Sequence, residues 1–169
     1  VRLGLVAGKV NKNIYLVTSA NKNEGKSMVA VNLAIMVAAV DVNVLLIDAN
    51  MHSPILHEVF DISNQHGLSS LPAIHDQNLK EEDRRKQIDT HIRAAISPTK
   101  YSNLLVMPSG PLANNPSKIL GSTSLQDWIN IFFNRLKIDV ILFDSSSSLP
   151  YADSSTLAVT SQAEIVTVI

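Results

Sequence analysis

Residues 20–27 of the chain, ANKNEGKS, have types and a spacing that suit the binding of phosphate groups. Backbone amides in a loop of this kind converge with the N-terminus of the following helix and attract an anion. Gly25 lets the backbone approach a phosphate closely, Lys26 supplies a mobile positive charge, and Ser27 supplies a hydroxyl for Mg²⁺. The pattern predicts a nucleotide site; the alternative is an ordinary glycine-containing turn that ends in a capping serine. The residues predicted to contact the nucleotide are Asn21, Lys22, Asn23, Glu24, Gly25, Lys26, Ser27 and Met28.

Two aspartates stand at the ends of other apolar runs, Asp48 after LLI and Asp144 after ILF. In an open parallel sheet, ligands lie beyond the carboxyl ends of the strands, so both carboxylates should converge with Lys26. Carboxylates in that place hold Mg²⁺ through its waters or accept a proton from an attacking hydroxyl. We therefore predict that Lys26, Asp48 and Asp144 are catalytic. The alternative is that each aspartate ends a strand or caps a helix.

The elements that must position these residues follow from the apolar patterning. Near-continuous apolar runs, typical of strands buried on both faces, predict strands over 14–18, 42–48, 103–108, 138–144 and 163–169. Helices are predicted over 26–40, 54–60, 79–88 and 124–136, the first of them apolar almost all round and packed tightly on a sheet. This alternation predicts an α/β fold with a doubly wound, mostly parallel sheet and helices on both faces.

The domain organisation is predicted to be simple. Residues 1–13 form a leading segment, and residues 14–169 form one nucleotide-binding domain. Because the last predicted strand runs to the C-terminus with no helix after it, we expect the chain to be cut short there.

Composition excludes several classes of protein. The chain of 169 residues is 46% hydrophobic and 17% charged, which argues against disorder, and its net charge of −1 does not indicate a nucleic-acid binder. It has no cysteine, so disulfides and thiolate metal sites are excluded, and its five histidines show no helical metal-binding pair. No signal peptide and no apolar run of bilayer length is found. A cytoplasmic protein is expected.

Five segments in one order carry a specific resemblance: VTSANKNEGKS, NLA at 32–34, VLLIDANMHSP, SGPLANNPSKIL and VILFDSSSS. Over about residues 14–169 the chain resembles the cytoplasmic domain of bacterial tyrosine kinases of the capsular and exopolysaccharide system, within the MinD/ParA group of P-loop ATPases. The resemblance implies that Lys26 holds phosphate, that Ser27 and Asp144 position Mg²⁺, and that Asp48 acts on the tyrosine hydroxyl. Asn115 and Pro116 match an N-P pair typical of the kinase branch; the alternative for them is an ordinary helix start.

The resemblance also implies cofactors, partners and a location. The cofactors are ATP or ADP with Mg²⁺, and the partner is a membrane-anchored polysaccharide co-polymerase adaptor or a fused transmembrane part. The full-length form is expected to be a homo-oligomer at the inner face of the cell membrane, where it regulates polysaccharide chain length or export. The helix for oligomerisation and the segment that holds the adenine base, both typical of the family, are missing from the sequence, so we expect truncation at both ends.

Several departures from the family pattern cluster at the predicted site. Asn50 replaces the second aspartate of a D-x-D motif, and His52 replaces an arginine. Asn50 remains a candidate Mg²⁺ ligand with Ser27, Asp48 and Asp144, but the lost charge-assisted contact is worth about 1.5–3 kcal/mol. The remaining departures are Ala20 for the first loop glycine, Lys22 and Asn23 for Pro-Gly, Met28 for a hydroxyl residue, and Ser146 and Ser147 for prolines. Together they predict altered or impaired chemistry.

Three functions follow from these patterns. The first is an ATP-dependent protein-tyrosine kinase, although Tyr15, Tyr101 and Tyr151 are scattered and form no C-terminal cluster. The second is a MinD/ParA-type ATPase that switches partner binding with nucleotide. The third is a degenerate, non-catalytic nucleotide-sensing or scaffold domain. The charged run at 81–86 is interpreted as a solvated helix face rather than a docking site.

Overall fold

The structure, a computed structural model, describes residues 13–73, 80–149 and 152–169. The strands in these ranges are β1 (Asn13–Ser19), β2 (Val44–Asp48), β3 (Ser97–Pro98), β4 (Leu104–Met107), β5 (Val140–Asp144) and β6 (Glu164–Val168). The α-helices are α1 (Lys26–Ala38), α2 (Leu56–Val59), α3 (Glu81–Ala95), α4 (Pro116–Leu120), α5 (Thr123–Arg135) and α6 (Asp153–Ser161), and a 3₁₀ turn spans Leu68–Ser70. Asn13 begins β1; the rest of the predicted leading segment, together with Tyr151, lies outside the described residues.

The strands form one sheet in the order β3-β4-β2-β5-β1-β6. All neighbours are parallel except β3, which is antiparallel to β4 at the edge. The predicted mostly parallel α/β sheet is thus confirmed. The register pairs Asp48 of β2 with Asp144 of β5, and Asp144 in turn lies opposite Val17 of β1. The two predicted aspartates and the strand that leads into the phosphate loop therefore end side by side.

Helices cover both faces of the sheet, which explains why β2 and β5 are apolar on both sides. On one face α1 packs through Ala30, Val31, Ala34 and Ala38. On the other face α3, α4, α5 and α6 pack around Trp128 and Phe132, whose rings stack with centroids 5.9 Å apart. The buried indole of Trp128 donates its Nε1–H to the Pro72 carbonyl at 2.9 Å, so its polar atom is satisfied.

The helices differ from their predicted forms in three ways. Helix α1 packs through one face only, because Met28 and Met36 are 66% and 70% exposed. Helix α3 runs to Ala95, beyond the predicted end at 88, and its exposed face carries the ion pairs Glu81–Arg85 and Glu82–Lys86. Helix α6 was not predicted, since it is rich in small polar residues, whereas α4 begins at the helix start that Asn115 and Pro116 offered as an alternative. Among the helices in the described ranges, none has both the length and the apolarity to span a bilayer.

A close backbone approach beyond β4 requires glycine at position 67. The N–H groups of Leu68 and Ser69 donate to the carbonyls of Pro108 and Ser109 at 3.0 and 2.8 Å, which draws the 3₁₀ turn onto the chain after β4. A Cβ at Gly67 would lie 2.2 Å from the Pro108 oxygen and 2.4 Å from the Gly110 nitrogen. Both atoms belong to the backbone, so no side-chain rotation relieves the clash.

We expect Gly67→Ala to lower the free energy of unfolding by about 3 kcal/mol, because overpacking here moves backbone rather than side chains. Urea denaturation measures this change. Gly121→Ala is the matched control: its Cβ would meet Thr156 Cγ2 at 3.0 Å and the Ser117 carbonyl oxygen at 3.1 Å. The control should cost about 1 kcal/mol. Equal losses in the two variants would contradict the proposed clash.

Candidate functional site

The loop between β1 and α1 takes the conformation that the motif requires. Gly25 has a φ of 83°, in the left-handed region that favours glycine, and α1 begins at the next residue. Nothing lies within 4 Å of a Cβ placed on Gly25, so the dihedral angle rather than crowding selects glycine. No side chain of the described residues caps the N-terminus of α1. The first amides of the helix therefore remain available to an anion.

Glu24 fixes the shape of this loop from within. Its carboxylate accepts hydrogen bonds from the backbone N–H and the side-chain amide of Asn21, both at 2.9 Å. The backbone bond, followed by the side-chain bond, holds the pKa of Glu24 below its usual range. The backbone carbonyl of Asn21 in turn accepts a hydrogen bond from the Ser19 hydroxyl at 2.7 Å. These contacts give Asn21 and Glu24, both predicted to contact the nucleotide, a role in holding the loop.

Asp144 is the most unusual group in the site. It is fully buried, and neither carboxylate oxygen makes a hydrogen bond of full geometry among the described residues, although the Ser27 hydroxyl is close enough to stabilise its charge. Burial raises the pKa of Asp144 to about 7, and the negative charge of Asp48 acts in the same direction. The Ser27 hydroxyl and the Lys26 ammonium stabilise the charged form and partly offset this rise. A buried and incompletely paired carboxylate beside a lysine and a hydroxyl indicates that a cation or a polar ligand belongs here.

The oxygen atoms of the Ser27 and Asp144 side chains are suitable ligands for Mg²⁺. A carboxylate and a hydroxyl are the oxygen ligands that Mg²⁺ accepts, and it commonly binds one or two carboxylates together with phosphate oxygens and waters. No cluster of three or more histidine or acidic side chains able to hold a metal is found in the described parts of the chain. The small set formed by Ser27 and Asp144 is therefore typical of a metal bound with a nucleotide rather than of an all-protein site.

Asp48 lies beside Asp144 but has an additional structural role. Its carboxylate accepts the backbone N–H groups of Asn50 at 3.1 Å and of Ile55 and Leu56 at 2.9 Å. Burial raises the pKa of Asp48; these bonds and the charge of His57 act in the opposite direction. Asp48 therefore caps α2, which is the alternative that the sequence offered for this residue. Its proposed action on a substrate hydroxyl stays a prediction.

A pocket lies between the loop and the ends of β2 and β5. Its walls come from three segments, and it is lined by Lys22, Asn23, Lys26, Ser27, Asn50, His52, Ser53, Ile55, Ser146 and Ser147. Asn50 is 6% exposed and donates its side-chain amide to the Ser53 carbonyl at 2.9 Å. Met28, predicted to contact the nucleotide, does not line this pocket and is 66% exposed. Of the eight residues predicted to contact the nucleotide, four line the pocket: Lys22, Asn23, Lys26 and Ser27.

The serine run after β5 ties the pocket to β1, which sequence reasoning missed. The Ser145 hydroxyl donates to the Val17 carbonyl at 3.0 Å, and the Thr18 hydroxyl donates to the Ser146 carbonyl at 2.8 Å. The Ser148 N–H extends this pairing to the Ser19 carbonyl at 2.9 Å. Serines therefore fix the wall of the pocket that follows β5. A run of small hydroxyl residues directly after a buried strand was the available signal.

Sheet, loop and pocket together define the P-loop nucleotide-binding class. No protein-family model matches the chain. The chain is 31% identical over 142 residues to the tyrosine-protein kinase YwqD of Bacillus subtilis (strain 168), a match that covers 84% of this chain and 53% of YwqD. It is 30% identical over 126 residues to the putative tyrosine-protein kinase CapB of Staphylococcus aureus, covering 75% of this chain and 49% of CapB. The chain therefore spans about half the length of these curated relatives.

Solved structures show the same fold. The kinase domain of the Escherichia coli tyrosine kinase ETK aligns with a TM-score of 0.74 at 21% identity, over 95% of this chain and 56% of that one. MinD of Pyrococcus horikoshii, solved with Mg-ADP, aligns with a TM-score of 0.60 at 18% identity, over 92% of this chain and 57% of that one. The resemblance stated from the motifs is confirmed. The chain corresponds to the kinase domain of the bacterial tyrosine kinases (BY-kinases), which is structurally related to the MinD and ParA P-loop ATPases.

Proposed function

We propose that this chain binds ATP with Mg²⁺ and transfers the terminal phosphoryl group to a tyrosine hydroxyl. The observation that carries the proposal is the buried, incompletely paired carboxylate of Asp144 beside Ser27 and Lys26, at the point where β1, β2 and β5 end. The names of the curated relatives, both tyrosine kinases, support the same reaction.

Each group has a role in that reaction that its surroundings support. Lys26 neutralises negative charge on the outer phosphates, and Ser27 with Asp144 would hold the metal. Mg²⁺, when bound, would supply positive charge that offsets the negative charge developing on the transferred phosphoryl group. Asp48 accepts the proton of the tyrosine hydroxyl, and the burial that raises its pKa makes its carboxylate a better proton acceptor than an exposed aspartate. Asn50 contributes a neutral oxygen ligand.

A second candidate function is a nucleotide-binding domain without phosphotransfer. Two observations favour it: Asn50 carries no charge and gives its amide to Ser53, and three backbone amides occupy the carboxylate of Asp48. Such a domain would still bind the phosphate groups of a nucleotide but would not transfer a phosphoryl group. A MinD-type ATPase switch is the third candidate, for which the shared fold is the support.

We extend the proposal to the setting of the whole protein. The family resemblance supports a homo-oligomer that works at the inner face of the cell membrane, through a membrane-anchored co-polymerase adaptor or a fused transmembrane part. Its role there would be to control the chain length or export of a polysaccharide. The net charge of −1 offers no support for a nucleic-acid partner.

The test is phosphotransfer from Mg-ATP to a synthetic Glu–Tyr copolymer, followed with a phosphotyrosine antibody. An added substrate is used because, of the tyrosines that the structure describes, Tyr15 is 8% exposed within β1 and Tyr101 is half-buried. We expect Mg²⁺-dependent phosphotyrosine in the wild type and a loss of about 100-fold or more in Asp48→Asn, the usual scale for a proton acceptor.

Urea denaturation of Asp48→Asn serves as the control for folding. One oxygen of the asparagine still accepts the N–H groups of Ile55 and Leu56, so the variant should lose only about 1–2 kcal/mol of stability. Nucleotide binding without any phosphotyrosine in the wild type would instead support the non-catalytic function. Full activity in Asp48→Asn would remove Asp48 from the mechanism.

A further inference from the structure

A hydrogen-bonded network links the phosphate pocket to two helices outside it. His52 Nε2 lies 2.7 Å from Asp153 Oδ2, and the Ser117 hydroxyl donates to Asp153 Oδ1. Asp153 is the first residue of α6, and Ser117 is the second residue of α4. His52 lines the pocket on the segment after β2. Three side chains that are far apart in the sequence thus form one chain of contacts that ends at the pocket.

Asp153 is the buried centre of this network. It is 4% exposed, and its two oxygens are used separately, one by the imidazole and one by the hydroxyl. A buried carboxylate is costly unless it is paired, so both contacts stabilise it. The side chain of His52, by contrast, is 30% exposed. The carboxylate therefore restrains the imidazole from the protein side, while the ring faces the cavity that contains Lys22 and Lys26.

The other end of the network is held by the start of α4. Asn115 caps this helix by accepting the Lys118 N–H at 3.1 Å, and Pro116 occupies its first turn. The end of α4 packs closely on α6, since a Cβ at Gly121 would lie 3.0 Å from Thr156 Cγ2. Because α4 is fixed at both ends, the Ser117 hydroxyl has little freedom to leave Asp153.

We propose that Asp153 is a positioning residue for phosphate recognition: it holds His52 against the phosphate groups of a bound nucleoside diphosphate or triphosphate, and Ser117 holds Asp153. The inference rests on the proposed nucleotide binding and adds to it a contact supported from outside the pocket. Without its carboxylate partner, the imidazole loses the hydrogen bond that orients it and with it part of its contact with phosphate. The affinity of the pocket therefore depends on the packing of α4 against α6.

The experiment is a double-mutant cycle on binding of a fluorescent ADP analogue with Mg²⁺. We expect His52→Gln and Asp153→Asn each to weaken binding about 5- to 10-fold, and the double variant to bind within about twofold of either single variant. His52→Arg, which keeps a donor for Asp153 and offers further N–H donors to phosphate, should restore wild-type affinity to within about threefold. A merely structural role for His52 would not produce this rescue.

Two serine variants keep the test independent of how Asp153→Asn folds. Ser117→Ala removes one contact to Asp153 and should weaken binding about two- to threefold. Ser154→Ala is its matched control, because the Ser154 hydroxyl on α6 is buried with no hydrogen-bond partner among the described residues. The control should bind nucleotide as the wild type does, and urea denaturation of each variant separates affinity from stability.

Other outcomes overturn the inference and are distinguishable from failure of the proposed function. If the fold-losses of affinity in the two single variants multiply in the double variant, His52 and Asp153 act independently. Asp153 then does not position His52. If Asp153→Asn and Ser117→Ala bind like the wild type while Lys26→Met loses binding, the inference fails and the nucleotide site stands. If the wild type itself binds no nucleotide, both fail together.

Discussion

Lys26→Met should weaken binding of Mg-nucleotide by about 10- to 100-fold, the equivalent of one or two charge-assisted contacts to phosphate. Lys26 is 8% exposed and lines the pocket with Ser27. Because little water surrounds its ammonium group, the attraction between that group and phosphate is only weakly screened. Methionine keeps most of the apolar stem and removes only the charge. Titration with a fluorescent nucleotide, with and without Mg²⁺, measures the loss.

The control for this prediction is Lys22→Met, which removes a lysine from the same loop and the same pocket. Lys22 is exposed, so solvent and salt weaken its attraction to phosphate and we expect a loss of less than about threefold. Equal losses in the two variants would indicate a general charge effect. Unchanged affinity in Lys26→Met would contradict the phosphate site itself.

The sequence was sufficient to predict the parts of the site that depend on strand ends. Buried parallel strands leave near-continuous apolar runs, so β2 and β5 were recognisable, and so was the aspartate that ends each of them. The phosphate loop was recognisable because Gly25 and Lys26 stand between a strand and a helix. Convergence of these groups then followed from the rule that ligands bind at the carboxyl ends of parallel strands.

The rest depends on contacts between distant residues, which local patterns do not contain. His52 and Asp153 are 101 residues apart, and nothing in the sequence of α6 indicates that its first residue contacts a side chain that lines the pocket. The order of the strands is similarly non-local. Helix α1 was misjudged because an apolar sequence does not say which residues face the sheet, and Met28 and Met36 face away from it. Short helices such as α4 lack enough turns to show a period.

In Mg²⁺-free buffer, Asp144→Asn should be more stable than the wild type at pH 8, and this advantage should disappear near pH 4. The pKa of Asp144 is raised from its ordinary value of 3.8 to about 7, so the folded protein holds this proton more tightly than the unfolded chain. The wild type therefore loses stability as the pH rises between these values, on the order of 4 kcal/mol in total. The asparagine carries no charge and escapes that loss. Urea denaturation between pH 4 and pH 8 with a chelator present measures the difference.

Mg-ADP should offset more than half of this difference in stability, because the same carboxylate that destabilises the free protein would hold the metal. At a nucleotide concentration about 100 times the dissociation constant, the wild type should gain about 2.7 kcal/mol, and Asp144→Asn should gain little. Asp139→Asn is the control. Asp139 is exposed just before β5, accepts the Asn43 N–H at 2.9 Å, and should show neither the advantage at pH 8 nor the loss of response to Mg-ADP. Parallel pH profiles for the wild type and Asp144→Asn would contradict the buried charge, and an equal gain from Mg-ADP would contradict its role as a metal ligand.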